Sequence, residues 1–181
     1  MDSHYFIPDD VITIDVETTG LWVSQGHQPW EVSYAVGEQQ PRTLLLRHDP
    51  SNADPTALRI NNYHDRWDPH GVADLRQLNE FNDMLTGRYT LGANVGFDRE
   101  MLSFWNVVPP VWHHRPLELT SMVMLALGLE CPVSLHNAVT RVNDAWGLEI
   151  PLPDHSSYTD VVATREVYRA VMQWRLERKE S

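Results

Sequence analysis

The sequence contains one cysteine, Cys131, so an intrachain disulfide is impossible, and a reducing, cytoplasmic location fits. No apolar run is long enough to span a membrane, so no membrane partner is expected. The first ten residues, MDSHYFIPDD, lack the basic and apolar regions of a signal peptide. Positive charge is scarce: 14 Lys and Arg stand against 25 Asp and Glu, a net charge of -11 at pH 7. That argues against a broad, non-specific nucleic-acid surface. It leaves room for a site that handles a few nucleotides at one strand end, because bound cations offset local acidic charge. There is no internal repeat, no low-complexity segment and no domain-length linker. The 181 residues, 42% hydrophobic and 22% charged, therefore read as one globular domain, 1–181.

What the chain does have is centred on Val11 to Leu21, VITIDVETTGL. Val11, Ile12, Ile14 and Val16 favour a strand, and Thr18-Thr19-Gly20 reads as the turn that ends it. Side chains at i and i+2 of a strand share a face, so Asp15 and Glu17 lie side by side at the end of an otherwise apolar strand. Like charges so close repel and resist desolvation. A divalent cation with a preference for carboxylate oxygen, Mg²⁺ or Mn²⁺, removes that cost. The alternative is a strand that runs out into a solvated acidic turn.

Further strands are expected at Glu31 to Val36 and Arg42 to Arg47, joined by the hairpin-length GEQQP turn of Gly37 to Pro41. A short helix is expected over Pro55 to Asn61, with Asp54 as its cap, and a loop over Asn62 to Gly71. A helix follows over Asp74 to Leu85, with Leu75, Leu78, Phe81 or Asn82, and Leu85 at helical spacing. Arg88 to Ala93 reads as a strand. Phe97 to Asn106 reads as a helix stopped by Pro109-Pro110, and Val111 to Pro116 as a connector. Helices over Leu117 to Leu127, Ser134 to Trp146 and Thr159 to about Arg178 complete the chain. Early strands followed by strands alternating with helices make an α/β domain with a mixed sheet.

Two more carboxylates recur in one setting. Asp98 opens a helix whose inward face continues through Leu102 and Trp105. Asp160 begins the last helix, ahead of Ala163, Val167 and Val171. An acid in a first helical turn is also favoured by the helix dipole alone. His155 precedes Asp160 by five residues, and a histidine held beside a cation site can take a proton near neutral pH.

Taken together, Asp15-Val16-Glu17-Thr18-Thr19-Gly20, Asn94-Val95-Gly96-Phe97-Asp98 and His155-Ser156-Ser157-Tyr158-Thr159-Asp160 resemble, in order, the three motifs of the DEDDh 3′–5′ exonucleases. These are the DnaQ-like nucleases of the ribonuclease H-like superfamily. The resemblance spans about Val11 to Val171. Ser156 stands where the tyrosine subclass has its tyrosine, which points to the histidine subclass. The resemblance implies a ribonuclease H-like five-stranded mixed sheet flanked by helices, with a fifth strand near Val111 to Leu117. It implies two divalent cations, Mg²⁺ or Mn²⁺, held by Asp15, Glu17, Asp98 and Asp160, with His155 as general base. Two such ions, roughly 4 Å apart, serve the attacking and leaving oxygens of a phosphodiester. Thr18, Thr19, Gly20 and Leu21 would line the pocket of the 3′-terminal nucleotide, Leu21 wedging against bases with Trp22 beside it. Asn94 and Phe97 would border it, Asn94 mainly holding its loop and Phe97 mainly packing. Products would be nucleoside 5′-monophosphates.

The E-T-T-G turn is more similar to the proofreading branch than to the oligoribonucleases, which favours single-stranded DNA and raises a DNA polymerase as a partner. RNA ends or short oligoribonucleotides are the alternative substrate. A non-catalytic module that keeps the fold to bind a polymerase or nucleic acid is the rival from another class. Other features have plainer readings: His113-His114-Arg115 lacks ligand spacing for a metal, most of the seven tryptophans, Trp105 and Trp146 among them, are core, and Arg165, Arg169 and Arg175 form a solvated face.

Overall fold

The computed structural model describes residues 5–105 and 111–178. In chain order these form β1 (Val11–Thr18), β2 (Pro29–Val36), β3 (Arg42–Leu45), α1 (Pro55–Ile60), α2 (Tyr63–Arg66), α3 (Leu75–Leu85), β4 (Tyr89–Gly92) and α4 (Val95–Trp105), then β5 (Leu117–Glu118), α5 (Leu119–Leu127), α6 (Leu135–Trp146) and α7 (Ser157–Glu177). The five strands make one mixed sheet in the order β3-β2-β1-β4-β5. β2 runs antiparallel to β1 and β3, while β1, β4 and β5 are parallel. This is the α/β architecture expected from the sequence. Among the described residues, no helix is long and apolar enough to cross a membrane.

β1 lies at the centre because both its faces are apolar. Val11 packs with Leu91, Leu119, Val123, Val139, Val167 and Val171 under α5, α6 and α7. Ile12, Ile14 and Val16 point the other way and pack with Phe81, Leu85, Val95, Met101 and Leu102 under α3 and α4. By the same alternation, Asp15 and Glu17 share the face of Val11, beneath α7.

Several boundaries differ from the sequence reading, each for a local reason. The 62–71 stretch contains α2, a single turn with no room to display a helical period; Asn62 enters it at a left-handed φ of 52°. α3 is closed at its start by a capping box between Asp74 and Gln77, and Leu75, expected on the inner face, is 79% exposed because it sits in the first turn outside the stripe of Phe81 and Leu85. α4 starts at Val95, two residues early, because the Glu118 carboxylate accepts the N–H groups of Asn94 (2.9 Å) and Val95 (3.0 Å). The expected end at Asn106 and the Pro109-Pro110 stop lie outside the described residues. The fifth strand is only Leu117–Glu118, at the end of the expected stretch. Arg165 is not on a solvated face: it is buried and donates to the carbonyls of Gln39 (2.6 Å) and Gly37 (2.9 Å), binding α7 to the β2–β3 turn.

Glu118 caps two helices at once, since it also receives the N–H of Thr120 at the start of α5. Glu118→Ala should lower stability in urea titrations by about 2 kcal/mol, the upper range for loss of a helix cap. A loss within about 0.5 kcal/mol, as for an ordinary surface change, would mean that solvent serves those amides equally well.

Candidate active site

The site forms where β1 outruns its parallel neighbour. Pairing with β4 stops at Thr13↔Leu91. β4 then passes so close to β1 that a Cβ on Gly92 would lie 3.1 Å from the carbonyl oxygen of Ile14. The chain turns away there through Asn94, at φ 63°, into α4. The amide of Val16, left without a strand on that side, donates instead to Asp98 Oδ1 at 2.9 Å. A buried backbone donor thereby places the Asp98 carboxylate beside the end of β1.

Asp15 and Glu17 face α7, and Asp160 in the first turn of α7 meets them. Carboxylate oxygens of Asp15, Glu17 and Asp160 lie within 4.8 Å of one another. Asp98 stands next to this trio rather than within it. Of the four acids expected together, the structure gathers three at mutual ligand distance and holds the fourth against Val16. None of the four is in an ion pair among the described residues.

Burial and mutual repulsion both act on these acids. Burial, then the charges of Asp98, Asp160, Glu17 and Glu31, holds Asp15 well above the ordinary carboxylate range. Glu17 is pushed up to about 9 by burial first and Asp160 second, against the pull of Arg66. Asp98 is pushed up to about 8 by burial, against the amide of Val16. Asp160 reaches about 6, raised by burial and pulled down chiefly by His155. A set of oxygen donors that bears this much repulsion, at this spacing, fits a hard divalent cation.

His155 sits in the loop before α7 at φ 61°, exposed, and near enough for its charge to act on Asp160. Asp154 shapes that loop by accepting the Ser156 amide (3.1 Å) and the Thr159 hydroxyl.

The Thr18-Thr19-Gly20 turn is committed to the protein itself. Thr18 Oγ1 donates to the Gly20 carbonyl (2.8 Å), and Thr19 Oγ1 accepts from the amide of Gln28 (2.9 Å). Gly20 is required by His27: a Cβ there would run into the imidazole, whose Nδ1 accepts the Trp22 amide at 2.9 Å. Beyond the turn, Leu21 (63% exposed) and Trp22 (60%) stand out from the surface. With Asn94, Gly96, Phe97, Glu100 and Phe104 they line a cleft of about 680 Å³. Phe97 both packs on the core under α4 and reaches this cleft. Asn94 is exposed, with its amide held by Glu118.

Sequence reasoning missed a second layer. Glu31 lies opposite Glu17 in the β1–β2 register and accepts the Ser157 amide (3.2 Å) and hydroxyl (2.5 Å). Ser33, opposite Asp15, bonds the same hydroxyl at 2.7 Å. Asn61, buried at the end of α1, donates to the Thr18 carbonyl at 2.9 Å, and Arg66 pairs with Glu31. The one available signal was the position of Glu31, two residues before Ser33 on a strand expected to pair with β1.

No protein-family model matches the sequence, and no curated protein matches it. The fold is similar to that of E. coli exonuclease I in complex with a dT13 oligonucleotide, with a TM-score of 0.64 and 18% identity over 94% of this chain and 42% of that one. It is similar to Brucella melitensis NrnC bound to pGG (0.55, 15%, 94% and 75%). It is also similar to the cell-death related nuclease CRN-4 (0.64, 11%, 92% and 64%). The chain thus spans about two fifths of exonuclease I. At these identities the likeness is one of fold, and the mixed five-stranded sheet with flanking helices is the fold that these proteins share with this chain.

Proposed function

We propose that the chain is a divalent-metal-dependent 3′–5′ exonuclease of the DEDDh type that shortens single-stranded DNA from its 3′ end and releases nucleoside 5′-monophosphates. The observation that carries this reading is the convergence of Asp15, Glu17 and Asp160 within 4.8 Å, with Asp98 beside them and His155 at the rim. The fold likeness to nucleases supports it. Bound Mg²⁺ or Mn²⁺ would activate the nucleophile and stabilise charge on the reacting oxygens. Asp15, Glu17 and Asp160 would hold the ions, Asp98 completing the set. His155, exposed beside Asp160, would take the proton of the attacking water. Leu21, Trp22 and Phe97 offer the terminal bases apolar surface, while Thr18, Thr19 and Gly20 shape the backbone of the nucleotide pocket. Proofreading alongside a polymerase rests on the E-T-T-G turn alone.

A second reading, hydrolysis of short oligoribonucleotides, is favoured by one observation. Among the described residues, the cleft beside the site is lined by no Lys or Arg and includes Glu100, so these residues offer no cationic track for a long phosphate backbone. A neighbour bound to pGG agrees with it.

With Mn²⁺ or Mg²⁺, 5′-labelled single-stranded DNA should shorten stepwise from the 3′ end. Chelator-resistant activity, or cleavage from the 5′ end, would refute the reading. Single-stranded DNA longer than a few nucleotides should be degraded faster than RNA dinucleotides; the opposite ranking would establish the second reading. His155→Ala should slow hydrolysis on the order of 10²-fold or more, the usual worth of general-base catalysis, with little change in melting temperature. Near-wild-type rates would remove His155 from the mechanism.

Thermal melting tests the metal site without substrate. Mn²⁺ that binds only the folded chain should stabilise it by about 2.7 kcal/mol at 100 times the dissociation constant. Asp15→Asn should melt no lower than wild type in chelator and gain much less from Mn²⁺. Equal metal-induced shifts would mean that Asp15 is not a ligand. The pH dependence has a definite sign. Glu17, at about 9 in the folded state, binds its proton more tightly there than in the unfolded chain. Its contribution is therefore full below the ordinary carboxylate range and is lost as pH rises toward 9. In chelator, melting temperature should fall across that window, and Mn²⁺ should flatten the fall.

A further inference from the structure

The segment that follows α1 supplies no expected ligand, yet it reaches both sides of the site. Trp67 stacks on Tyr63 with centroids 6.0 Å apart, and both meet the buried Trp30 edge to face, at 6.5 and 5.1 Å. His48 joins through the Tyr63 hydroxyl (2.8 Å) and the Leu46 carbonyl (3.0 Å). These rings give the single turn of α2 a fixed seat that a four-residue helix could not provide for itself. Arg66 is the last residue of that turn, and its guanidinium lies over Trp30, 5.1 Å from the ring centroid.

The guanidinium then makes three connections. Nη1 donates to the carbonyls of Asn61 (3.0 Å) and His155 (2.9 Å), and Nη2 pairs with Glu31. Asn61 in turn donates to the Thr18 carbonyl, and Glu31 holds the amide and hydroxyl of Ser157. One side chain therefore ties the turn after β1 to the loop of His155 and the start of α7. A planar fork with five donors can reach two carbonyls and a carboxylate together; a lysine ammonium cannot match that geometry. His155 needs such a hold, because a non-glycine residue at φ 61° persists only where its surroundings fix it.

We propose that Arg66 is a positioning residue for the hydrolysis: by holding the His155 carbonyl, and Ser157 through Glu31, it sets the imidazole against Asp160. The inference rests on the hydrolytic reading above. It assigns Arg66 no contact with substrate.

The test is a double-mutant cycle on 5′-labelled single-stranded DNA with Mn²⁺, using wild type, Arg66→Met, His155→Ala and the double variant. Arg66→Met should lose roughly 10- to 100-fold in kcat, the scale of a small misplacement of a catalytic group, with KM within about threefold of wild type. The double variant should be no slower than His155→Ala, because Arg66 acts through that residue. Losses that multiply in the double variant, or a loss confined to KM, would overturn the proposal. Arg66→Met also leaves the Glu31 charge unpaired, so Arg66→Met/Glu31→Gln is compared with it; this pair keeps an acceptor for Ser157 and removes the charge. It should melt close to wild type yet remain as slow as Arg66→Met. Full recovery of rate would make Arg66 only a counter-charge for Glu31 and would overturn the proposal. A wild type inactive with both metals would overturn the hydrolytic reading and this inference with it, and that failure is visible before any variant is compared.

Discussion

Repulsion among buried carboxylates governs this molecule. Asp15 and Glu17 share one strand face, Asp160 meets them from α7, and Asp98 lies beside them, so the folded chain brings to the Asp15–Glu17 pair two acids that the unfolded chain keeps far from it. Burial raises all four; the charges of Asp98, Asp160 and Glu17 raise Asp15 further, and that of Asp160 raises Glu17 and Asp98. Such an arrangement is unfavourable for folding by itself, and the rest of the structure has to hold it in place.

The holding is done by backbone geometry more than by counter-charge. Pairing between β4 and β1 stops at Thr13, two residues before Asp15, and the open Val16 amide captures Asp98. Glu118 fixes the start of α4, and therefore Asp98, through the amides of Asn94 and Val95. On the other side, the β1–β2 register puts Glu31 and Ser33 opposite Glu17 and Asp15, where both bind Ser157 and so seat the first turn of α7 that carries Asp160. Arg66 is the positive group that reaches into this layer, and its fork is shared between Glu31 and two carbonyls. The apolar cores on the two sheet faces supply the stability against which the strained site is maintained.

The acids themselves were legible in the sequence because each sits at a recognisable place on a regular element. Asp15 and Glu17 stand at i and i+2 of an apolar strand, and Asp98 and Asp160 in the first turns of helices with apolar stripes. The mixed sheet followed from the alternation of elements. What was not legible depended on contacts distant in sequence. Arg66 and Trp30 are 36 positions apart, and only the fold brings them into contact. α2 is too short to show a period, and the two-residue β5 exists only because β4 lies beside it. Arg165 looked like part of a solvated row by spacing, but the carbonyls of Gly37 and Gln39 draw it inward from the β2–β3 turn. The packing of His27 against Gly20 is likewise a contact that spacing along the chain does not reveal.

The central claim is that this cluster of repelling acids exists to hold a divalent cation. The most direct measurement is anomalous scattering from crystals of the protein grown with Mn²⁺. The account predicts a manganese peak bound by Asp15, Glu17 and Asp160, and the loss of that peak in crystals of Asp15→Asn. Manganese bound only elsewhere, with the three carboxylates hydrogen-bonded to one another as protonated acids, would contradict it.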